Sequence, residues 1–183
     1  LGQAPGPDWV KKEVTEGDKE SFQTIFAQHE GAVSAPAAGL HFSRELMKRM
    51  EIKGVEAAYV TMHIGQGNFR EIDVEDLTKH KTDSEQMFVE REATEIVNGA
   101  KDKGHKVCAI GTSVMRVLET AVGADGRLKE YEGWTSKFIF PPYDFRFADS
   151  LITNFHMPYS TMLMLTAAYG GYDLVMKAYD VAL

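Results

Sequence analysis

Apolar positions along this chain fall into two alternating rhythms. Ala93, Ile96, Val97 and Ala100 recur at helical spacing and stop at Gly104. Val107 to Ile110 is a short continuous apolar run, the mark of a buried strand. Val114, Val117, Leu118 and Ala121 then resume the helical period after the turn Gly111-Thr112-Ser113. This helix–strand–helix run predicts an α/β fold. A second such junction predicts a strand at Leu151-Ile152, a polar turn at Asn154 to His156, and a helix with Pro158 in its first turn. Met162, Leu163, Leu165 and Ala168 supply that helix's apolar face, and Gly170-Gly171 ends it. A last helix is expected over 172–182, with Leu174, Val175, Ala178 and Tyr179 on its apolar side.

Upstream the pattern is looser. Residues 1–17, with Pro5, Gly6, Pro7 and Gly17, read as a linker or irregular edge, and 18–183 as the α/β domain. Asp18 suits the cap of a short helix carrying Phe22, Ile25 and Phe26. Ser43 suits the cap of a helix with Leu46, Met47 and Met50, closed by Gly54. Strands are expected over Val55 to Ile64, around Met87 to Val89, and from Trp134 to Phe140, the last broken at Pro141-Pro142. Asp73 to Lys81 is a charged, solvated connection. Tyr143, Phe145 and Phe147 alternate with polar residues, as a further strand or an aromatic stripe packed on the core.

Composition narrows the class. The 183 residues are 44% hydrophobic and 26% charged, enough for one good core. No apolar run approaches a membrane span, and the chain reads as cytoplasmic. The single cysteine, Cys108, excludes an internal disulfide and reads as a buried thiol within its apolar strand. A net charge of −7 argues against nonspecific coating of nucleic acid, though not against a local basic patch. Leu1 at the start and a helical pattern running to Leu183 suggest a fragment.

Candidate chemistry sits in the turns after strands. The small-residue stretch Gly31 to Phe42 lets backbone approach a ligand closely, or serves as a plain connector. Gly65 and Gly67 after a strand mark a tight turn, too short for a dinucleotide fingerprint. Thr112 and Ser113 open a helix where carboxylates, phosphates or ribose hydroxyls bind, or simply cap it. Glu85 is either a pocket carboxylate or, as more often, a surface one. His63 alone is more often structural than catalytic. His80, Asp83 and Glu85 form no spacing that marks a metal site, and no metal is expected. Arg116 and Glu119, three apart, can pair on a helix surface.

The blocks GAVSAPAAGLHF, HIGQGNF, GTSVMRVLE, GWTSKFIFPPYDF and LITNFHMPYSTMLML occur in this order. Together they closely resemble the S-adenosylmethionine:tRNA ribosyltransferase-isomerase family of queuosine biosynthesis (the QueA family), over nearly the whole chain. The resemblance implies transfer and isomerisation of the ribosyl part of S-adenosylmethionine onto 7-aminomethyl-7-deazaguanine at the tRNA wobble position. It implies epoxyqueuosine as product, adenine and methionine as leaving molecules, and no metal. It implies the C-terminal part of a large α/β domain of the QueA-like type, with the family's inserted β-barrel domain mostly or wholly absent. The implied partners are the tRNA anticodon arm, S-adenosylmethionine and the missing N-terminal half. Strands without their partners would then leave apolar surface exposed.

The family's turns fall on Ala37 and Gly39, on His63, Gly65 and Gly67, on Gly111, Thr112 and Arg116, and on Asn154 to His156 followed by Ser160 and Thr161. The resemblance implies that these turns line one pocket. Main-chain N–H groups and hydroxyls there would hold the methionyl carboxylate and the ribose, and Arg116 an anionic group. His41, His63 and His156, with Glu85 behind them, are the candidates for proton transfer. The chain departs from the family's usual residues at Ala37, Asn68, Asp83, Ser113 and Pro142. A non-catalytic relative used for binding or assembly is the competing expectation.

Overall fold

A computed structural model describes residues 21–183. The linker assigned to 1–17 and the cap assigned to Asp18 lie outside the described residues. Beyond the helical Ser21, five strands and five α-helices follow one another among the described residues: α1 (Arg44–Ile52), β1 (Thr61–Met62), β2 (Glu85–Val89), α2 (Arg91–Asp102), β3 (Cys108–Ile110), α3 (Thr112–Ala121), β4 (Tyr131–Thr135), β5 (Ser150–Ile152), α4 (Thr161–Gly170) and α5 (Tyr172–Ala182). The strands form two sheets. One is antiparallel in the order β1-β2-β4, with Met87 opposite both Met62 and Gly133. The other is the parallel pair β3-β5, with Ala109 opposite Leu151.

The core lies where α3 meets both sheets. Met115, Val117 and Leu118 of α3 pack with Met87 and Val89 of β2, Ala109 of β3, Phe147 and Leu165. The strand β2 alternates strictly: Glu85, Met87 and Val89 point inward while Gln86 and Phe88 are partly exposed. Local signals close the elements as their chemistry dictates. Ser43 accepts a hydrogen bond from the Leu46 N–H, and Ser160 accepts one from the Leu163 N–H. Gly171, at φ 82°, ends α4 in a conformation that favours glycine.

Several expectations are corrected. Ser21 is helical and Phe22 to Phe26 lie in turns beyond it, so the apolar face expected over Phe22, Ile25 and Phe26 is not helical; the Phe26 ring sits 5.8 Å from Tyr59 and 6.4 Å from Phe42. The strand expected from Val55 is paired only at Thr61–Met62; β2 ends at Val89, opposite Val60, so Val55 to Tyr59 have no partner on it. The strand expected at Trp134 to Phe140 lies earlier, over Tyr131–Thr135, and Trp134 is exposed. Its apolar residues mislead because Phe138 and Ile139 pack from an irregular segment. The Tyr143–Phe147 stripe is no strand but packs on the core, its rings edge to face. Pro158 lies in the turn before α4, and Ser160 is the cap.

Cys108 is exposed, not buried. A continuous apolar run suits a parallel strand covered on both faces. Here Ala109 and Leu151 face the core, while Cys108, Ile110, Ser150 and Ile152 share the opposite face. Ile152 there is 50% exposed.

Candidate active site

Glu85 opens β2 with its side chain turned inward and only 4% of its surface exposed. Burying a lone carboxylate is expensive, so its two oxygens need partners. Oε1 accepts the Gly65 N–H at 2.8 Å, and Oε2 accepts Nη1 of Arg116 at 2.6 Å. Arg116 also donates from Nε to the Lys137 carbonyl at 3.2 Å. One buried ion pair thus ties the glycine turn, β2, α3 and the segment after β4 to each other. Above the pair lies a small pocket lined by Gly67, Asn68, Asp83, Phe138 and Thr161 among others. Gly67 is required by space: a Cβ there would overlap Oδ2 of Asp83. Asp83 is held by a forked pairing with Arg70, both contacts 3.3 Å. At Gly65 the same added atom would meet nothing within 4 Å.

A second cluster lies at the start of α3. Gly111, at φ 100°, donates to the Ile152 carbonyl at 2.8 Å, joining the ends of β3 and β5. The 3-10 turn Ala37–His41 packs here, with the Ala38 side chain 3.8 Å from where a Cβ on Gly111 would sit. Nδ2 of Asn154 donates to Nε2 of His41 at 3.0 Å, while its Oδ1 is buried without a partner. Thr112 is buried at the α3 N-terminus, one helical turn before Arg116, so α3 presents both clusters on one side.

The expected residues therefore divide. Glu85, Arg116, Gly67 and Thr161 border one pocket, and Gly65 reaches it through Glu85. His41, Asn154, Ala37, Gly39, Gly111 and Thr112 belong to the second cluster. His63 stands apart from both: its ring lies edge-on to Phe88 at 5.9 Å and against Gly31. Ser160 serves as the α4 cap, which engages its hydroxyl. His156 lies 3.0 Å from Thr153 Oγ1, and its main-chain N–H donates to the Tyr179 hydroxyl at 2.7 Å. Burial pushes its imidazole down to about 4, so the ring is neutral at neutral pH.

Two pairings differ from the sequence expectation. Arg116 does not pair with Glu119, because the helix turns Glu119 into the core. Glu119 is fully buried and accepts the main-chain N–H groups of Arg146 and Phe147 and the Tyr143 hydroxyl. Glu85 is not a surface carboxylate. Its place as the first inward residue of the alternation Glu85, Met87, Val89 was the available signal. His80, Asp83 and Glu85 are separately engaged, His80 with the Phe138 ring. Among the described residues, no three His, Cys, Asp or Glu side chains gather to hold a metal ion.

A family model described as queuosine biosynthesis protein matches residues 1–183. The chain belongs to this family. It is 70% identical over 183 residues to a Phocaeicola vulgatus protein named S-adenosylmethionine:tRNA ribosyltransferase-isomerase, all of this chain and 52% of that protein. A Parabacteroides distasonis protein of the same name is 66% identical, again over all of this chain and 52% of its own length. The crystal structure of an S-adenosylmethionine tRNA ribosyltransferase from Thermotoga maritima superposes with a TM-score of 0.64. It is 38% identical and matches 79% of this chain and 45% of that one. The chain spans about half the length of the curated relatives it matches. The α/β class expected from the helix–strand–helix run agrees with this family.

Proposed function

We propose that this chain is the C-terminal portion of a cytoplasmic S-adenosylmethionine:tRNA ribosyltransferase-isomerase. The reaction transfers and isomerises the ribosyl moiety of S-adenosylmethionine onto 7-aminomethyl-7-deazaguanine at the tRNA wobble position. Epoxyqueuosine forms, and adenine and methionine leave. S-adenosylmethionine is the ribosyl donor, and no metal takes part. The remaining, N-terminal half of the protein completes the site.

The observation that carries this reading is the family match over all 183 residues. The Glu85–Arg116 pair supports a site beside it. Glu85 uses both oxygens on protein partners, so its role is to fix Arg116 and the Gly65 turn rather than to move protons. Arg116, so oriented, offers hydrogen-bond donors to an anionic group of the substrate. Thr161 and the backbone of the Gly65–Asn68 turn supply neutral polar contacts beside it. Adenine departure needs a proton delivered near neutral pH. His156 holds no proton there, which leaves His41 and His63 for that step. His41 is the better placed, since Asn154 orients its ring beside the α3 N-terminus.

The test uses the full-length protein with S-adenosylmethionine and an anticodon stem-loop carrying 7-aminomethyl-7-deazaguanine. Mass spectrometry of the RNA should show the added ribosyl group, with adenine released in step. No gain, under conditions where a relative is active, would reject the enzyme reading. Arg116→Lys, which keeps a positive charge beside Glu85 but loses the guanidinium fork, should cut transfer sharply while leaving the protein folded.

A further inference from the structure

Lys137, which also borders the pocket described above, and Arg146 both lie near the Tyr143–Glu119 pair. Nζ of Lys137 lies 3.5 Å from the Tyr143 hydroxyl and 5.9 Å from the centre of its ring. The Tyr143 hydroxyl donates to Oε2 of Glu119 at 3.2 Å. Nε of Arg146 is 3.8 Å from that same oxygen, and Nη2 donates to the Glu119 main-chain carbonyl at 3.2 Å. Arg146 therefore pairs with Glu119, whereas Lys137 reaches only the phenol that Glu119 already holds. That carboxylate is fully buried and already accepts two main-chain N–H groups and a phenol. Among the described residues no carboxylate forms an ion pair with Lys137, and Glu119 alone does so with Arg146.

This is an unfavourable arrangement for the protein alone. Lys137 is half-buried, and burial together with repulsion from Arg146 holds its ammonium below the usual lysine range. Tyr143 gives no relief. Burial and Glu119 push its hydroxyl up to about 12, so it stays protonated and uncharged. Arg146 meanwhile keeps 47% of its side chain in solvent. The chain as a whole carries a net charge of −7, so this local positive excess runs against the overall balance. Adjacent like charges are relieved when an anion bridges them.

We propose that Lys137 and Arg146 together contact a backbone phosphate of the tRNA. The phosphodiester is the anion that suits them. It presents two unesterified oxygens, enough for an ammonium and a guanidinium at once, and it is reached from solvent at Arg146. The contact positions the RNA and reads no base. This inference rests on the reading that the protein binds tRNA, and it assigns part of that docking surface.

The test is equilibrium binding of an anticodon stem-loop to the full-length protein over a range of salt concentrations, with Lys137→Gln and Lys137→Arg as variants. Arg146 is left intact because it braces Glu119. Losing one phosphate contact should lower the slope of log affinity against log salt by about 0.7–0.9. Lys137→Gln should show that loss, and Lys137→Arg should keep the native slope. An unchanged slope in Lys137→Gln overturns the proposal. So does an affinity loss independent of salt, a lowered melting temperature with a native slope, or a change confined to the KM for S-adenosylmethionine, which would place the substrate carboxylate there instead. Binding does not require turnover, so a protein that binds the RNA normally but transfers no ribosyl group rejects the enzyme reading and leaves this inference standing.

Discussion

The Glu85–Arg116 pair joins two nearly buried charges, 4% and 12% exposed. Removing one partner of such a pair leaves the other uncompensated, so Glu85→Gln should destabilise the protein by about 3–5 kcal/mol. Denaturant unfolding of the variant checks this. The two glycines of the adjoining turn should respond differently. Gly67→Ala forces an added methyl into Asp83 and should lower both the melting temperature and activity, whereas Gly65→Ala enters open space and should do much less. His156 makes a pH prediction. Its folded value of about 4 lies below the ordinary 6.5, so the unfolded chain binds the extra proton more readily. Stability from this group is complete above pH 6.5 and is lost as the pH falls towards about 4. The difference in unfolding free energy between the native protein and His156→Gln, followed across that window, should show the loss.

At the scale of elements, the α4 start is set by Ser160, whose Oγ accepts the Leu163 N–H at 3.2 Å and donates to the Met157 carbonyl at 2.7 Å. Ser160→Ala should cost about 1 kcal/mol, measured by chemical denaturation. Helices and their stops were legible in the sequence because periodicity and caps are local. Ser43 with Gly54, and Gly171 after α4, act within a few residues of where they stand, whereas Pro158 drew the start of α4 too early. Strand ends were less legible. A strand exists only where a partner's backbone is available, and nothing in Val55 to Tyr59 records that β2 ends at Val89, opposite Val60. The site shows the same division. Gly65, Gly67 and Arg116 stood out as turn and helix residues, yet the partner of Arg116 lies 31 positions away at Glu85. Periodicity placed Arg116 beside Glu119, but packing separated them. Glu119 was hidden for a related reason, since a charged residue in a helix looks the same whether it meets solvent or the main chain of Arg146 and Phe147.

For the molecule as a whole, the informative misreading is Cys108. Its apolar strand reads as buried, and the structure leaves it open because the outer face of β3 and β5 carries no cover among the described residues. The chain by itself should therefore react with a thiol reagent without denaturant, and the full-length protein should react more slowly. Phe155, Met157 and Tyr159 follow β5 and are also exposed. No described helix is long and apolar enough to cross a membrane. Open apolar surface of this kind agrees with a chain that spans half the length of its relatives.

The hydrogen bond from Gly111 to the Ile152 carbonyl gives that bare sheet a thermodynamic meaning. The ends of β3 and β5 meet there, and the start of α3 and Asn154 follow directly from them. The two strands contact each other over only three residue pairs. Anything that seats on their outer face favours the paired arrangement, and so favours the geometry of the cluster beyond it. The affinity measured for a ligand at that cluster is the intrinsic affinity multiplied by the fraction of molecules holding the strands together. Covering the sheet raises that fraction, so the cover and the ligand should each tighten the binding of the other by the same factor.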